Sequence, residues 1–337
     1  MLIKKLRVIF KKVNGLVNKE DGFVLVFVAA GMLAFLGITA LVVDVGTLAL
    51  EKRRLQNACD AAALAAAQEL YYTGDESQAH QKARQYLENN NVMETPAVAV
   101  DNQTRTVTVS SSRTREMAFI RVAGINTGTV SARAKAVFGA VTKIDGSRCA
   151  VSPLVPFGVP DCAAGFIPGE EVVLKYSAGI PQIHGNFGGL ALGGRGANNY
   201  GNNIKYGYQG TLGIGSRVLT EPGNMSGKTK SGLQYRLEQC PHTPPCTYDG
   251  GYDPDCPRVI IVPVYKPQDL YGRDEVEIVR FAVMLLEKAT GSGNQCSVYG
   301  RFISMAPPSG TKIVIDPYLP APGTGPNEGL YAARLLE

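Results

Sequence analysis

The sequence has little of what an enzyme active site needs. It contains three histidines, His80, His184 and His242, and it lacks the G-x-S-x-G nucleophile motif of many hydrolases. His184 lies in a Gly-rich loop where a ligand could approach the backbone, but no nucleophile or carboxylate partner can be assigned to it. We therefore expect no catalytic residue, no cofactor and no bound metal, and an enzyme centred near His184 is the weakest alternative.

The folded part of the chain also lacks an excess of positive charge. The net charge is +5, but the first 21 residues carry six basic and two acidic side chains and so account for +4 of it. A nucleic-acid-binding surface needs basic groups concentrated on the folded domain. We therefore expect no nucleic-acid partner.

Long apolar runs are scarce, and the one at residues 22–43 contains no charged side chain. A helix of that length reaches about 33 Å, which is enough to cross a hydrocarbon core of about 30 Å. A cleaved signal peptide is the alternative, but its apolar region is usually about 7–15 residues long and ends at a small-residue cleavage site. The run predicts a single transmembrane helix in the cell membrane.

The distribution of basic residues predicts how that helix is oriented. Six basic residues precede the apolar run, whereas Lys52, Arg53 and Arg54 follow it. The positive-inside rule places the more basic flank in the cytoplasm. We expect a cytoplasmic N-terminus and an extracytoplasmic C-terminal region.

Six of the seven cysteines lie in a later region that is rich in Gly and Pro. In an oxidising compartment, an even number of cysteines predicts disulfides whose pairing the sequence does not fix. The candidates are Cys149, Cys162, Cys240, Cys246, Cys256 and Cys296. A zinc site of Cys240, Cys246 and Cys256 with His242 is the alternative, but structural zinc sites favour Cys pairs about two to four residues apart, and these gaps are wider.

A group of carboxylates lies beside these cysteines. Asp249, Asp253 and Asp255 occur in YDGGYDPDC, where clustered carboxylates with Gly could bind calcium. The spacing of an EF-hand loop is absent, and a tight turn explains the composition equally well. We therefore assign no metal site to these residues.

Apolar spacing predicts that the anchor helix continues beyond the membrane. One apolar face recurs at helical intervals from Leu48 to Ala66, and Ala fills seven of the ten positions in residues 58–67. Ala has the best helix propensity, and its small side chain lets a second helix approach closely. The pattern predicts an Ala-rich helix over Asp44–Leu70.

The rest of the chain predicts an α+β fold. A helix, two strands, a short helix and a third strand are expected in turn at Glu76–Asn90, Ala97–Asp101, Arg105–Ser110, Thr114–Val122 and Thr129–Ala140. From about residue 142 Gly and Pro become frequent, and no helix-length pattern appears for about 75 residues. Short strands are expected at Val172–Tyr176, Thr211–Ile214, Arg217–Leu219, Val259–Val264, Val298–Ile303 and Lys312–Ile315. Glu275–Thr290 is long enough for a helix, but a strand followed by a turn also fits.

These patterns divide the chain into five segments. A basic cytoplasmic tail (1–21) and the transmembrane helix (22–43) precede a helical and α+β domain (44–142). A Gly/Pro-rich, β-rich C-terminal domain (143–316), which would contain the disulfides, and a Pro/Gly-rich tail (317–337) follow.

The segment from Asp21 to Leu70 resembles the N-terminal region of TadG/TadE-like proteins of the Flp (Tad) pilus assembly system. The matching residues are DG before the apolar run, then LVVDVG (Leu41–Gly46), then RRLQNACDAAALAAA (Arg53–Ala67). The last stretch is the specific part, and the family form is close to R-x-x-L-Q-N-A-A-D-A-A-A-L-A. The order of elements up to about residue 140 is also similar to that family.

The resemblance implies a pilin-like ααββαβ domain in a membrane-anchored structural or assembly component of a Tad (Flp)-type pilus or a related envelope secretion system. The partners would be other pilin-like or Tad secretion components, the membrane and a second copy of the chain. The candidate residues for helix packing are Leu55, Ala58, Ala62 and Ala66. An exported surface adhesin or ligand-binding module that borrows the anchor is the alternative.

The sequence does not decide whether the chain is cleaved after Gly15 or what role Cys59 has. Gly15 and Glu20 fit the prepilin-peptidase pattern, which would make Leu16 a new N-terminus, although the residues between them are partly polar. Cys59 stands where the family form has Ala. It is either a small apolar packing residue or a thiol that forms a disulfide between two parallel helices.

Overall fold

In the computed structural model of the protein, the described residues are 23–92, 96–147, 151–161, 167–177, 186, 188–291, 295–304, 306–319 and 329–336. The chain forms two compact units whose segments alternate along the sequence. The first contains Met1–Ala63, Ala83–Ala99 and Thr108–Ala134, and the second contains Leu64–Lys82, Val100–Val107 and Lys135–Glu337.

The protein mixes helices and strands, as the sequence predicts. The α-helices are α1 (Phe23–Thr73), α2 (Glu76–Asn89), α3 (Ala197–Tyr206) and α4 (Ser226–Glu238), and a short 3₁₀ helix covers Ile120–Ala123. The strands are β1 (Ala97–Asp101), β2 (Thr106–Glu116), β3 (Thr127–Asp145), β4 (Val159–Pro160), β5 (Glu171–Lys175), β6 (Thr211–Gly213), β7 (Arg217–Leu219), β8 (Val259–Tyr265), β9 (Glu275–Thr290), β10 (Ser297–Ser304), β11 (Lys312–Asp316) and β12 (Tyr331–Leu336).

The predicted anchor and the predicted Ala-rich helix form one continuous helix of 51 residues, α1. The sequence of α1 contains no proline, so no backbone donor is missing and no side-chain ring interrupts its hydrogen bonds. The next helix, α2, begins where Asp75 accepts hydrogen bonds from the backbone N–H of Ser77 at 2.7 Å and of Gln78 at 3.4 Å. These contacts are those of an N-cap residue, and they explain why the chain turns after Gly74.

The predicted hairpin is present, but its second strand is longer than expected. Strand β2 continues to Glu116, and only the four residues Ile120–Ala123 form a 3₁₀ helix, so the short helix predicted at Thr114–Val122 is wrong over most of its length. The reason is that β2 stays paired with β3 up to the turn that joins them, where the backbone N–H of Met117 donates to Asn126 O at 2.9 Å.

The first sheet has the order β1-β2-β3-β11, with β12 and β6 also paired to β3. Strand β12 pairs antiparallel with β3 from Tyr331–Ala140 to Leu336–Lys135. This strand lies in the segment that the sequence presents as a Pro/Gly-rich tail. Its first residue, Tyr331, joins an aromatic cluster in the second unit, because the ring centroid of Tyr71 lies 5.3 Å from Phe138 and 5.8 Å from Tyr331.

The second sheet has the order β4-β8-β9-β10-β5, with β7 also paired to β9. Its central strand β9 pairs antiparallel with β8 on one side and with β10 on the other. Alternate side chains enter two separate cores, with Phe281, Val283 and Leu285 in one and Ala282, Met284 and Leu286 in the other. Both faces are covered, so this continuous apolar run is a strand and not a helix.

Helix α3 occurs where the sequence predicts none. In α3 (ANNYGNNIKY), Tyr200 and Ile204 are buried in the core that also contains Leu233 of α4. The two helices approach so closely that a Cβ built on Gly232 would lie 2.9 Å from Ile204 Cβ. Asn and Gly have low helix propensity, so packing stabilises α3 where local preference does not.

Candidate functional site

Side-chain exposure divides α1 into two parts. Most large apolar residues from Val24 to Val43 are exposed, and Phe35 is 77% exposed. From Leu55 onward, one face of the same helix is fully buried. The helix has the length and composition needed to cross a membrane, so its first part is a candidate membrane anchor.

The four predicted packing residues all lie on the buried face of α1. Leu55 is 1% exposed, and Ala58, Ala62 and Ala66 are 0% exposed. Atoms of the same chain therefore cover these positions, and their contact with a partner helix stays a prediction. Cys59 is also fully buried by the same chain, which favours its interpretation as a small apolar packing residue.

Two acidic residues of α1, which sequence reasoning missed, make buried polar contacts within the first unit. The carboxylate of Asp44 accepts hydrogen bonds from the backbone N–H groups of Ala118 and Phe119, each at 2.9 Å, and of Ile120 at 2.6 Å. These backbone N–H groups lie at or just before the N-terminus of the 3₁₀ helix, where no helical carbonyl oxygen precedes them to accept a hydrogen bond. Glu51 accepts hydrogen bonds from the guanidinium groups of Arg113 at 2.5 Å and Arg115 at 3.1 Å.

These contacts give the family-like motif a structural role. Asp44 is 2% exposed although it directly follows the apolar run. Its signals in the sequence are its place in the LVVDVG motif and its position as a charged residue at the end of the candidate membrane segment. A buried carboxylate needs several hydrogen-bond donors to compensate for its lost hydration. Asp44 therefore fixes the 117–124 turn to the helix.

A cluster of three cysteines and one histidine lies in the loop between α4 and β8. The side chains of Cys240, His242, Cys246 and Cys256 converge, and all their ligand atoms lie within 4.8 Å of one another. His242 Nδ1 lies 3.8 Å from Cys240 Sγ and 3.3 Å from Cys246 Sγ. Cys246 and Cys256 are buried. Three sulfurs and one imidazole nitrogen are a donor set that suits a thiophilic metal ion.

Backbone turns bring the distant end of this loop back to its start. Thr247 N–H donates to Gly251 O at 3.1 Å, and Gly251 has a φ of +91°, which favours glycine. Asp253 Oδ1 then accepts the backbone N–H of Asp255 at 2.8 Å, and Asp253 O accepts that of Cys256 at 3.0 Å. These turns explain how Cys256 reaches Cys240 despite the wide spacing in the sequence.

The thiols of this cluster have different protonation equilibria. Burial raises the pKa of Cys240, but hydrogen bonds from the backbone N–H groups of Cys246 and His242 outweigh it and bring the pKa to about 6. Burial raises the pKa of Cys256 to about 12. One thiolate is therefore favoured in the cluster at neutral pH, even without a metal ion.

The disulfide prediction is not supported. Cys240, Cys246, Cys256 and Cys296 are all free thiols, although three of them are neighbours. The three neighbours surround His242 instead of forming a pair, and Cys296 is buried near Lys175, whose Nζ donates to Cys296 O at 3.1 Å. Cys149 and Cys162 lie outside the described residues.

The remaining candidate residues do not form a site in the described part of the chain. Asp253 and Asp255 face different partners, because Asp253 Oδ2 lies 3.2 Å from His242 Nε2 and Asp255 Oδ1 accepts the backbone N–H of Ser309 at 2.7 Å. They do not converge with Asp249 on one position. His184 and the Gly15 processing site lie outside the described residues.

Comparison with known proteins supports the N-terminal resemblance. Residues 22–69 match the model of the Tad family, Flp pilus-assembly TadE/G-like. The match covers the anchor and the Ala-rich part of α1, and it ends before α2. No curated protein matches the chain. No solved structure matches it either.

Proposed function

We propose that the protein is a membrane-anchored structural or assembly component of a Tad-type pilus or a related envelope secretion system. The family match at residues 22–69 carries this proposal, because it covers the anchor and its continuation. The N-terminus lies in the cytoplasm and the C-terminal region lies outside the membrane, in agreement with the basic residues before the apolar run. The role is structural and needs no catalytic residue.

The protein contacts its partners through the first part of α1, residues 24–43. The apolar side chains of this part are exposed, whereas the later face of α1 that contains Leu55 and Ala62 is already covered by the same chain. A helix with apolar side chains on all sides is suited to lipid or to other membrane helices. The partners are other pilin-like or Tad secretion components in the same membrane, and a second copy of the chain can pack in the same way.

The experiment replaces residues 24–43 of the full-length protein with an unrelated apolar helix of equal length. The substituted protein is expected to stay in the membrane and to lose co-purification with the pilin-like and secretion components of the same cells. The unchanged protein is the control for expression and for co-purification. Retained co-purification after the replacement would reject this role for the anchor. Failure of the unchanged protein to co-purify with these components would instead favour an exported adhesin or ligand-binding module on a generic tether.

A further inference from the structure

We propose that Cys240, His242, Cys246 and Cys256 bind one structural Zn²⁺ ion. The four side chains come from a loop of 17 residues that begins two residues after α4 ends and returns to the start of β8. All four ligand atoms lie within 4.8 Å of one another, so a single ion can contact each of them. The ligand set is C-x-H-x₃-C-x₉-C, which no feature of the family match includes.

The distances between the ligand atoms fit a tetrahedral ion. Zn–S bonds of about 2.3 Å and Zn–N bonds of about 2.0–2.1 Å at tetrahedral angles separate a sulfur from a nitrogen by about 3.6 Å. The two separations between His242 Nδ1 and the sulfurs of Cys240 and Cys246 are 3.8 and 3.3 Å, on either side of that value. The ion needs only small side-chain adjustments to bind.

The second nitrogen of His242 supports the same assignment. Nδ1 faces the sulfurs, and Nε2 lies 3.2 Å from Asp253 Oδ2. A histidine that binds zinc commonly donates its other ring N–H to a carboxylate, which fixes the ring and its tautomer. Asp253 is held in place by the backbone N–H of Asp255 at 2.8 Å. Asp253 is therefore a positioning residue for His242.

Charge balance also favours zinc at this site. With all three cysteines bound as thiolates and the imidazole neutral, the Zn²⁺ site carries a net charge of −1. Arg258 brings a cation next to the site, because its Nη1 donates to Cys246 O at 3.0 Å. Cys240 Sγ also accepts the backbone N–H of Cys246 at 3.5 Å, which stabilises a thiolate.

A disulfide explains the cluster less well than an ion does. A disulfide would join two of the three sulfurs at about 2.05 Å and leave the third thiol and the histidine without a role. Zinc uses all four groups and leaves no open position, so the site is structural and not catalytic. Cys246 and Cys256 belong to the same core as Val259 and Leu285, and the ion therefore fastens the loop to the second sheet.

The test measures the metal content of the full-length protein in detergent, purified through a tag without histidine from cells supplied with zinc. We expect one zinc ion per chain by elemental mass spectrometry. We also expect a thiolate-to-cobalt charge-transfer absorption after exchange with Co²⁺. These two measurements need no variant. A chain without zinc, or a loop peptide two hydrogens lighter because of a disulfide, would overturn the proposal.

Variants then assign the ligands. Cys246→Ser leaves two thiolate ligands and is expected to lower the zinc content and to weaken the cobalt charge-transfer band, whereas Cys296→Ser, at a buried thiol outside the cluster, retains both the metal and the full band. Asp253→Asn should keep the zinc but raise its Kd about 10- to 100-fold in chelator competition. Equal zinc affinity in wild type and Asp253→Asn would remove Asp253 from the site. Full zinc retention in Cys246→Ser would overturn the assignment of the ligands.

Discussion

Asp44→Ala is expected to open the turn at residues 117–124 without unfolding the rest of the protein. The Asp44 carboxylate accepts three backbone hydrogen bonds, from Ala118, Phe119 and Ile120. A hydrogen bond to a charged group contributes about 1.5–3 kcal/mol, and the contributions of neighbouring bonds are not additive. We therefore expect the free energy of local opening of this turn to fall by about 2–4 kcal/mol. At 1.4 kcal/mol for each factor of ten, this corresponds to an exchange rate about 30- to 700-fold higher.

The assay is hydrogen exchange of the full-length protein in detergent, followed by mass spectrometry of peptides that cover residues 117–124. Asp44→Asn keeps an oxygen acceptor but loses the charge, so it should show a smaller increase than Asp44→Ala. Asp75→Ala is the matched control, because Asp75 also accepts backbone N–H groups, but at Ser77 and Gln78. Unchanged exchange at Ala118–Ile120 in Asp44→Ala would refute the proposed role of the carboxylate.

Two further predictions concern the second unit and the orientation. Burial lowers the pKa of Lys175 from 10.5 to about 8. Between these two pH values the unfolded chain holds a proton on Lys175 that the folded protein has released, so the free energy of unfolding should rise by up to about 3 kcal/mol from pH 8 to pH 10.5. Lys175→Met should remove this rise in chemical unfolding monitored by circular dichroism, and parallel curves for the two proteins would contradict it. For the orientation, Lys266→Cys should react with a membrane-impermeant maleimide in intact spheroplasts, whereas Lys12→Cys should react only after permeabilisation. The wild type measures the background reaction of the native cysteines. The opposite result would reverse the proposed topology.

Local patterns predicted the N-terminal elements well. Helix α1 follows from an uncharged run and an Ala-rich stretch, and α2 from an amphipathic repeat. The β1 strand has the predicted bounds, Ala97–Asp101. Each of these signals lies within one element, so the sequence carries it without knowledge of the tertiary contacts.

Elements that depend on distant contacts were not predictable in this way. In α3, the helix is stabilised by the burial of Tyr200 and by Asn203, whose Nδ2 donates to Leu192 O at 2.8 Å. Strand β9 is long enough for a helix, and its identity follows from neighbours on both sides and cores on both faces. The convergence of Cys256 with Cys240 depends on the turns at Gly251 and Asp253 and not on ligand spacing alone.

The Ala-rich stretch carries the family signature, and its burial changes how that signature relates to function. Small side chains allow close approach, which the sequence alone connects with partner helices. In the structure, Ala58 and Ala62 are fully buried by atoms of the same chain, so their small size serves the fold of the protomer. A larger residue at Ala62 would therefore disturb this packing before any partner binds. Loss of partners in Ala62→Leu alone would not identify an interface, and for this reason the replacement of residues 24–43 is the more discriminating experiment.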